Sequence, residues 1–330
     1  MATPPYPLQS QGFDFDGVAM GLKVFTTVAL ALCLCLVTAR DGEARESRAA
    51  PPAKGKAAKR ATQARPAAAP RADLAGQALD LRSNVVLVID NSTGQAIVSK
   101  NVHDVQPIAS ITKLMTALVV LDANPALDQP IAIAEEDIDV ERGSRSRLKV
   151  GSELSRGDLL HLALMASENR AAHALGRSHA GGLAAFVAAM NEKARALGME
   201  RTRFVDPTGL SSANVSTAED LVKLVAAAHA VPLIRRYSTD AQHGVAVAGR
   251  ELRFHNTNRL VSQAGWEVLL SKTGFINEAG RCLVMQARVD GRALTFVLLD
   301  SWGKLSRIGD ANRIRKWLTS SAAARAERRA

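Results

Sequence analysis

Apolar and polar positions change their period several times along the 330 residues, and those changes divide the chain into elements. Asn84–Asp90 (NVVLVID) and Gln95–Ser99 (QAIVS) are two apolar runs around the polar, Gly-ended turn Asn91–Gly94, a pattern that predicts a β-hairpin. Ser110–Asp122 (SITKLMTALVVLD) is apolar nearly all round, as expected of a helix buried inside a domain, with Pro125 closing it. Ser155-Arg-Gly-Asp158 reads as a capping box opening the helical run Leu159–Met165. Leu183–Leu197 ends at Gly198, where a helix C-cap belongs, and Ser216-Thr-Ala-Glu219 caps a helix reaching His229, with Pro232 after it. The pattern then turns to strands over Val268–Thr273, Arg281–Val289 and, after the turn Asp290-Gly291, Arg292–Leu299. An amphipathic helix over Ile308–Leu318 completes the order. Strands, a helical block, strands and a final helix predict an α+β domain: an antiparallel sheet flanked by helices.

Composition changes this picture mainly at the ends. Hydrophobic residues make up 47% and aromatics only 4%, so the core is built from Ala, Val, Leu and Ile. The net charge of +10 is concentrated in tails: Ala49–Arg71 carries six basic residues and no acidic one, and Arg325–Ala330 is also basic. The body is close to neutral. No aromatic residue is interleaved with these Lys and Arg residues, which argues against nucleic acid as a partner. A solvated linker is the plain reading of residues 40–79, which are rich in Ala, Pro, Lys and Arg; weak electrostatic association with wall or membrane is the functional one.

Ahead of that linker, Lys23 precedes an apolar run from Val24 to Val37, and Val37 and Ala39 suit a cleavage site after residue 39. Residues 1–39 read as an export signal, too short for a mature membrane span, with Met20 as an alternative start because Asp14 and Asp16 sit awkwardly before it. Cys33 and Cys35 fall inside it, so the exported chain keeps only Cys282, beside Leu283-Val-Met285, and is expected to fold without a disulfide. The expected organisation is therefore signal 1–39, linker 40–79, catalytic domain 80–320 and basic tail 321–330, in the periplasm.

Candidate chemistry lies in three ordered patterns: Ser110-Ile-Thr-Lys113, Ser167-Glu-Asn169 and Lys272-Thr-Gly274. Ser-x-x-Lys recurs at Ser146–Lys149 and Ser301–Lys304, and Ser-x-Asn recurs at Ser212–Asn214. Context separates them. Ser110 opens a buried helix, so Lys113 lies one turn below its hydroxyl, and the helix start offers free N–H groups to a developing oxyanion. Ser146 sits in the charged stretch Glu141–Arg147, read as a solvated loop, and no helix aims Lys304 at Ser301. A serine is a poor nucleophile until a base removes its proton, and a lysine can do so only when neutral, which burial and a second cation such as Lys272 would favour. Ser167 and Asn169, at a junction between helical runs, either cap a helix or relay a proton and hold Lys113. Lys272 and Thr273 can fix an anionic group on a strand, Gly274 leaves room for a substrate backbone beside it, and the Phe275 N–H can face an oxyanion. Seven histidines form no His-Glu-x-x-His pattern, and there is no Gly-x-Ser-x-Gly elbow or phosphate loop, so neither metal nor cofactor is implied.

These patterns, with Pro107–Lys113 (PIASITK), Phe204–Leu210 (FVDPTGL), His255–Asn258 (HNTN) and Glu278–Val284 (EAGRCLV), resemble the low-molecular-mass penicillin-binding D-alanyl-D-alanine peptidases over roughly residues 83–318. The resemblance implies a serine β-lactamase/D,D-transpeptidase-like fold, an acyl-enzyme on Ser110 with Lys113 as base and Ser167 and Asn169 assisting, and Lys272 binding the carboxylate of substrate or penicillin. Ser167–Ala172 (SENRAA) and Lys272–Phe275 (KTGF), in a chain ending soon after the catalytic segment, look more like the endopeptidase branch than the carboxypeptidases. Glu168 departs from the glycine of many relatives. The expected activity is cleavage of D-Ala–diaminopimelate crosslinks in peptidoglycan. The alternatives are a carboxypeptidase releasing terminal D-Ala, a β-lactamase using Asp206 for deacylation, and a catalytically silent wall-binding module.

Overall fold

The computed structural model describes residues 79–247 and 249–327. The expected signal, with Cys33 and Cys35, and all but the last residue of the expected linker lie outside the described residues. In chain order the elements are β1 (Ser83–Asp90), β2 (Ala96–Lys100), β3 (Gln106–Pro107), α1 (Lys113–Asp122), β4 (Pro130–Ala132), β5 (Glu153–Ser155), α2 (Arg156–Met165), α3 (Asn169–Arg177) and α4 (Gly182–Ala196). They continue with β6 (Val215–Ser216), α5 (Ala218–Ala230), α6 (Pro232–Thr239), β7 (Gln242–Val247), β8 (Arg250–His255), β9 (Glu267–Ile276), β10 (Gly280–Val289), β11 (Arg292–Ser301) and α7 (Ser306–Glu327).

Five strands form one antiparallel sheet in the order β2-β1-β11-β10-β9, so the first long strand pairs with the last and β9 forms an edge. Period-two alternation distributes their side chains between two cores. Val85 and Leu87 of β1, Val284 of β10 and Val297 and Leu299 of β11 face the helical block. Val86, Val88, Met285, Phe296 and Leu298 face α7, which contributes Ala311, Ile314 and Leu318 at helical spacing. Asp310 ties α7 to the start of β1: its carboxylate accepts hydrogen bonds from Arg82 N at 3.0 Å, Ser83 N at 2.7 Å and Ser83 Oγ at 2.6 Å.

Several boundaries differ from expectation for identifiable reasons. Ser110 belongs to a 3₁₀ turn, Ala109–Thr112, and α1 starts at Lys113. Ser155 caps α2 as expected, its hydroxyl accepting from Asp158 N at 3.0 Å. The cap of α5 is Thr217 rather than Ser216, because Ser216 is committed to pairing with Gln106 in β6. Pro232 opens α6 at a position that needs no N–H, instead of merely ending α5. The β7–β8 hairpin escaped detection because its strands are polar on the exposed face (QHGVAV, RELRFH). The last helix runs past Leu318 to Glu327, so the backbone of the expected basic tail is helical over 321–327.

Candidate active site

The 3₁₀ turn carrying Ser110 is wedged between the edge strand β9 and the loop 206–210. Ala109, immediately before Ser110, has φ +47°, a left-handed conformation that a residue with a Cβ rarely adopts. Two glycines make room for this backbone. A Cβ on Gly209 (φ +79°) would sit 1.9 Å from Ala109 O, and one on Gly274 would sit 2.9 Å from Ile108 O and 3.1 Å from Ser110 N. Gly274 is therefore required as a glycine by the chain's own nucleophile turn, which presses against it.

In a 3₁₀ turn residues i and i+3 eclipse, and Lys113 Nζ accordingly lies 2.9 Å from Ser110 Oγ. Its other neighbours are Asn169 Oδ1 at 2.7 Å and the Thr208 carbonyl at 2.6 Å. Both of these oxygens can only accept. A neutral amine has two N–H groups and one lone pair, so once both N–H groups are given to those oxygens the lone pair faces the Ser110 hydroxyl, which then donates to it. Ser110 is half-buried while Lys113 is fully buried. Burial pushes the Lys113 pKa down to about 7, against the pull of Asp206 and Glu168, which favour the charged form. That displacement corresponds to about 5 kcal/mol in favour of the neutral amine. The neighbouring cation was expected to contribute here; its influence falls instead on Lys272. Burial first, then Lys113 and Arg307, hold that amine well below its ordinary pKa.

Ser167 and Asn169 reach the site from the junction of α2 and α3. Ser167 (φ +61°) turns the chain so that its hydroxyl accepts from Lys272 Nζ at 2.9 Å. Asn169, the first residue of α3, bridges Lys113 to Ser144 Oγ, to which its Nδ2 donates at 3.0 Å. Neither is the helix cap: Glu168 fills that place, accepting from Arg170 N, which gives the departure at 168 a structural role. On β9, Lys272 Nζ also donates to Thr273 O, and Thr273 Oγ1 donates to Thr257 Oγ1 at 2.6 Å. Phe275 is half exposed, with the Arg281 guanidinium 4.4 Å from its ring centroid. All eight expected site residues thus gather where the helical block meets the sheet edge.

Other candidates resolve into structural parts. Asp206, weighed above as a deacylating acid, accepts from Thr208 N, Thr208 Oγ1, Gly209 N and Ser211 N, which leaves its carboxylate engaged in shaping the loop. Asn214, of the rejected Ser212–Asn214 pattern, is buried and holds that loop to the nucleophile turn through Asp206 O and Thr112 Oγ1. Ser146 accepts from Leu148 N and Ser301 donates to Ser306 Oγ. Cys282 is buried with its thiol pushed up to about 11 by desolvation, an inert core residue.

Ser144, Thr257 and the Thr208 carbonyl were not anticipated. Ser144 lies in the stretch read as solvated loop, ordered by Asp139, whose carboxylate accepts from the backbone N–H groups of Glu141, Arg142 and Ser144. The HNTN segment was the one available signal for Thr257. Among the described residues no cluster of three or more metal-ligating side chains occurs, and no helix is long and apolar enough to cross a membrane.

A family model described as D-alanyl-D-alanine carboxypeptidase, peptidase S11, matches residues 72–302. A D-alanyl-D-alanine endopeptidase of Pseudomonas aeruginosa is 49% identical over 241 residues, covering 72% of this chain and 78% of the relative. One of Escherichia coli is 45% identical over 241 residues, with the same coverage of both chains. The solved structure of the Streptomyces K15 DD-transpeptidase superposes with a TM-score of 0.67 at 27% identity, covering 72% of this chain and 97% of that one.

Proposed function

Because the chain belongs to the peptidase S11 family, we propose that it is a serine-type D-alanyl-D-alanine endopeptidase that hydrolyses D-Ala–diaminopimelate crosslinks of peptidoglycan through an acyl-enzyme on Ser110. The observation that carries this reading is the amine of Lys113, desolvated and directed by Asn169 Oδ1 and Thr208 O so that its lone pair meets the Ser110 hydroxyl.

Ser110 Oγ bonds to the D-Ala carbonyl carbon as its proton passes to Lys113. The Ser110 and Phe275 N–H groups stabilise the oxygen that gains charge. The amide C–N bond then breaks as its nitrogen takes a proton, relayed from Lys113 by the hydroxyl of Ser167, which Lys272 holds. Water hydrolyses the resulting ester. Lys272 and Thr273 hold the carboxylate beside the scissile bond, and its arrival favours the charged form of Lys272. The same contacts accept the carboxylate of a β-lactam. Peptidoglycan lies outside the cytoplasm, and a chain acting on it there agrees with residues 1–39 as an export signal to the periplasm and 40–79 as a basic tether to wall or membrane.

Incubation with crosslinked and uncrosslinked muropeptides tests the reading. Dimers should be converted to monomers, and labelled penicillin should leave a stable adduct on Ser110. Intact dimers with release of terminal D-Ala would establish the carboxypeptidase alternative, rapid penicillin turnover the β-lactamase, and the lack of any adduct the silent module.

A further inference from the structure

Outside the reaction centre, the segment 147–153 and the β7–β8 hairpin line a surface cavity of about 760 Å³, within the size range of sites that hold small ligands or a few peptide residues. Arg147, Lys149 and Arg250 line it, opposed by one carboxylate, Glu153, and its floor includes Val150 and Leu252. Among the described residues no carboxylate lies within ion-pair distance of any of the three cations. The nearby Glu251 is taken by Arg253 at 3.0 Å. Three cations held around one concave surface with no carboxylate in ion-pair reach favour an anionic ligand.

The cavity is coupled to the catalytic groups through its own walls. The Arg147 guanidinium stacks 3.8 Å from the centroid of the buried Phe254 ring, which joins the loop to β8. Arg147 is three residues from Ser144, the partner of Asn169. Phe254 is three residues from Thr257, the partner of Thr273. Three residues span at most about 11 Å, and contacts of 2.9, 2.7 and 3.0 Å carry the path from Ser110 through Lys113 and Asn169 to Ser144, so the cavity wall lies within reach of an extended peptide of several residues seated at Ser110.

We infer that this basic cavity is a second substrate site that binds the carboxylates of the stem peptide attached to the crosslink. The inference rests on the crosslink-cleaving reading above: diaminopimelate-type stems carry free carboxylates on their glutamate and diaminopimelate residues, and the dimer presents more of them than a β-lactam or a short D-Ala-D-Ala peptide. Contacts made in the ground state and the transition state alike lower KM without changing kcat.

The test uses Lys149→Glu/Arg250→Glu, two exposed side chains whose change leaves the Phe254 stack intact. In the full chain carrying Ser110→Ala, affinity for a crosslinked muropeptide dimer should fall about tenfold on adding these two substitutions, with weaker salt dependence. In chains with Ser110 present, KM for the dimer should rise to match, while kcat and the rate of acylation by penicillin stay within about twofold. Unchanged dimer affinity overturns the inference, as does an equal loss of penicillin acylation, which would mean general damage. Loss confined to binding of phosphatidylglycerol vesicles would assign the cavity to a lipid surface and likewise overturn it. The proposed function fails separately, if the chain with its native cavity and Ser110 leaves dimers uncut.

Discussion

Lys113 shows how little of a catalytic residue's character lies in its own identity. A lysine on an exposed helix would be charged at neutral pH; here burial brings its pKa to about 7. Acylation by penicillin should therefore fall about tenfold per pH unit below 7 and level off above it. Asn169→Asp replaces the neutral acceptor 2.7 Å from Nζ with a carboxylate. An opposite charge there favours the ammonium, so the rising limb should move upward by about one unit or more, measured as stopped-flow acylation against pH. An unmoved limb would mean that another group governs the rate. Stability carries the matching sign. The unfolded chain binds the Lys113 proton more tightly, so this residue's contribution to stability increases with pH from about 7 to about 10.5. Motif spacing identified both Ser110 and Lys113. It could not identify the Thr208 carbonyl, since every residue has one and only the fold selects which is used.

Among the elements, the nucleophile turn depends on its neighbours more than on its own propensity. A 3₁₀ turn with a left-handed alanine is kept in place by the close approach of Gly209 and Gly274. Gly274→Ala forces a methyl against Ser110 N and Ile108 O, and a shift of even about 1 Å at a reacting atom can lower rates about a hundredfold. Acylation should drop to that order while the thermal transition moves little. Thr217→Ala gives the contrasting result: loss of the cap on α5 should remove about 1 kcal/mol of stability and leave acylation within about twofold, because the hydroxyl removed accepts from Asp220 N in that cap and bonds none of the catalytic groups. Calorimetry paired with penicillin labelling checks both, and a Gly274→Ala chain that acylates normally would refute the wedge. The helix expected from Ser110 onward has the right apolar content. Its first turn tightened to 3₁₀ because β9 and the 206–210 loop compress it, and periodicity does not register that compression.

Across the whole molecule, the sheet is closed by segments more than two hundred residues apart, β1 with β11, and Asp310 fastens the last helix to that seam. Asp310→Ala leaves Ser83 N and Arg82 N without their acceptor and should destabilise the fold by about 2–4 kcal/mol, read as a lower denaturant midpoint with little change in the kcat of the folded fraction. An unaltered midpoint would remove α7 from the account of stability. The linear chain determined its own inventory: which runs alternate, which are apolar all round, where caps and turns stand, and which three short patterns carry nucleophile, base and anion site. Those are properties of residue type and local spacing, and local physics is enough to read them. The tertiary structure decided that Lys113 is dry, that Gly274 faces the chain itself, that Ser144 reaches from its charged loop to hold Asn169, and that three cations share one hollow. Each of these depends on what distant segments bring within a few ångströms, and desolvation, close approach and charge proximity act through space, without regard to order along the chain.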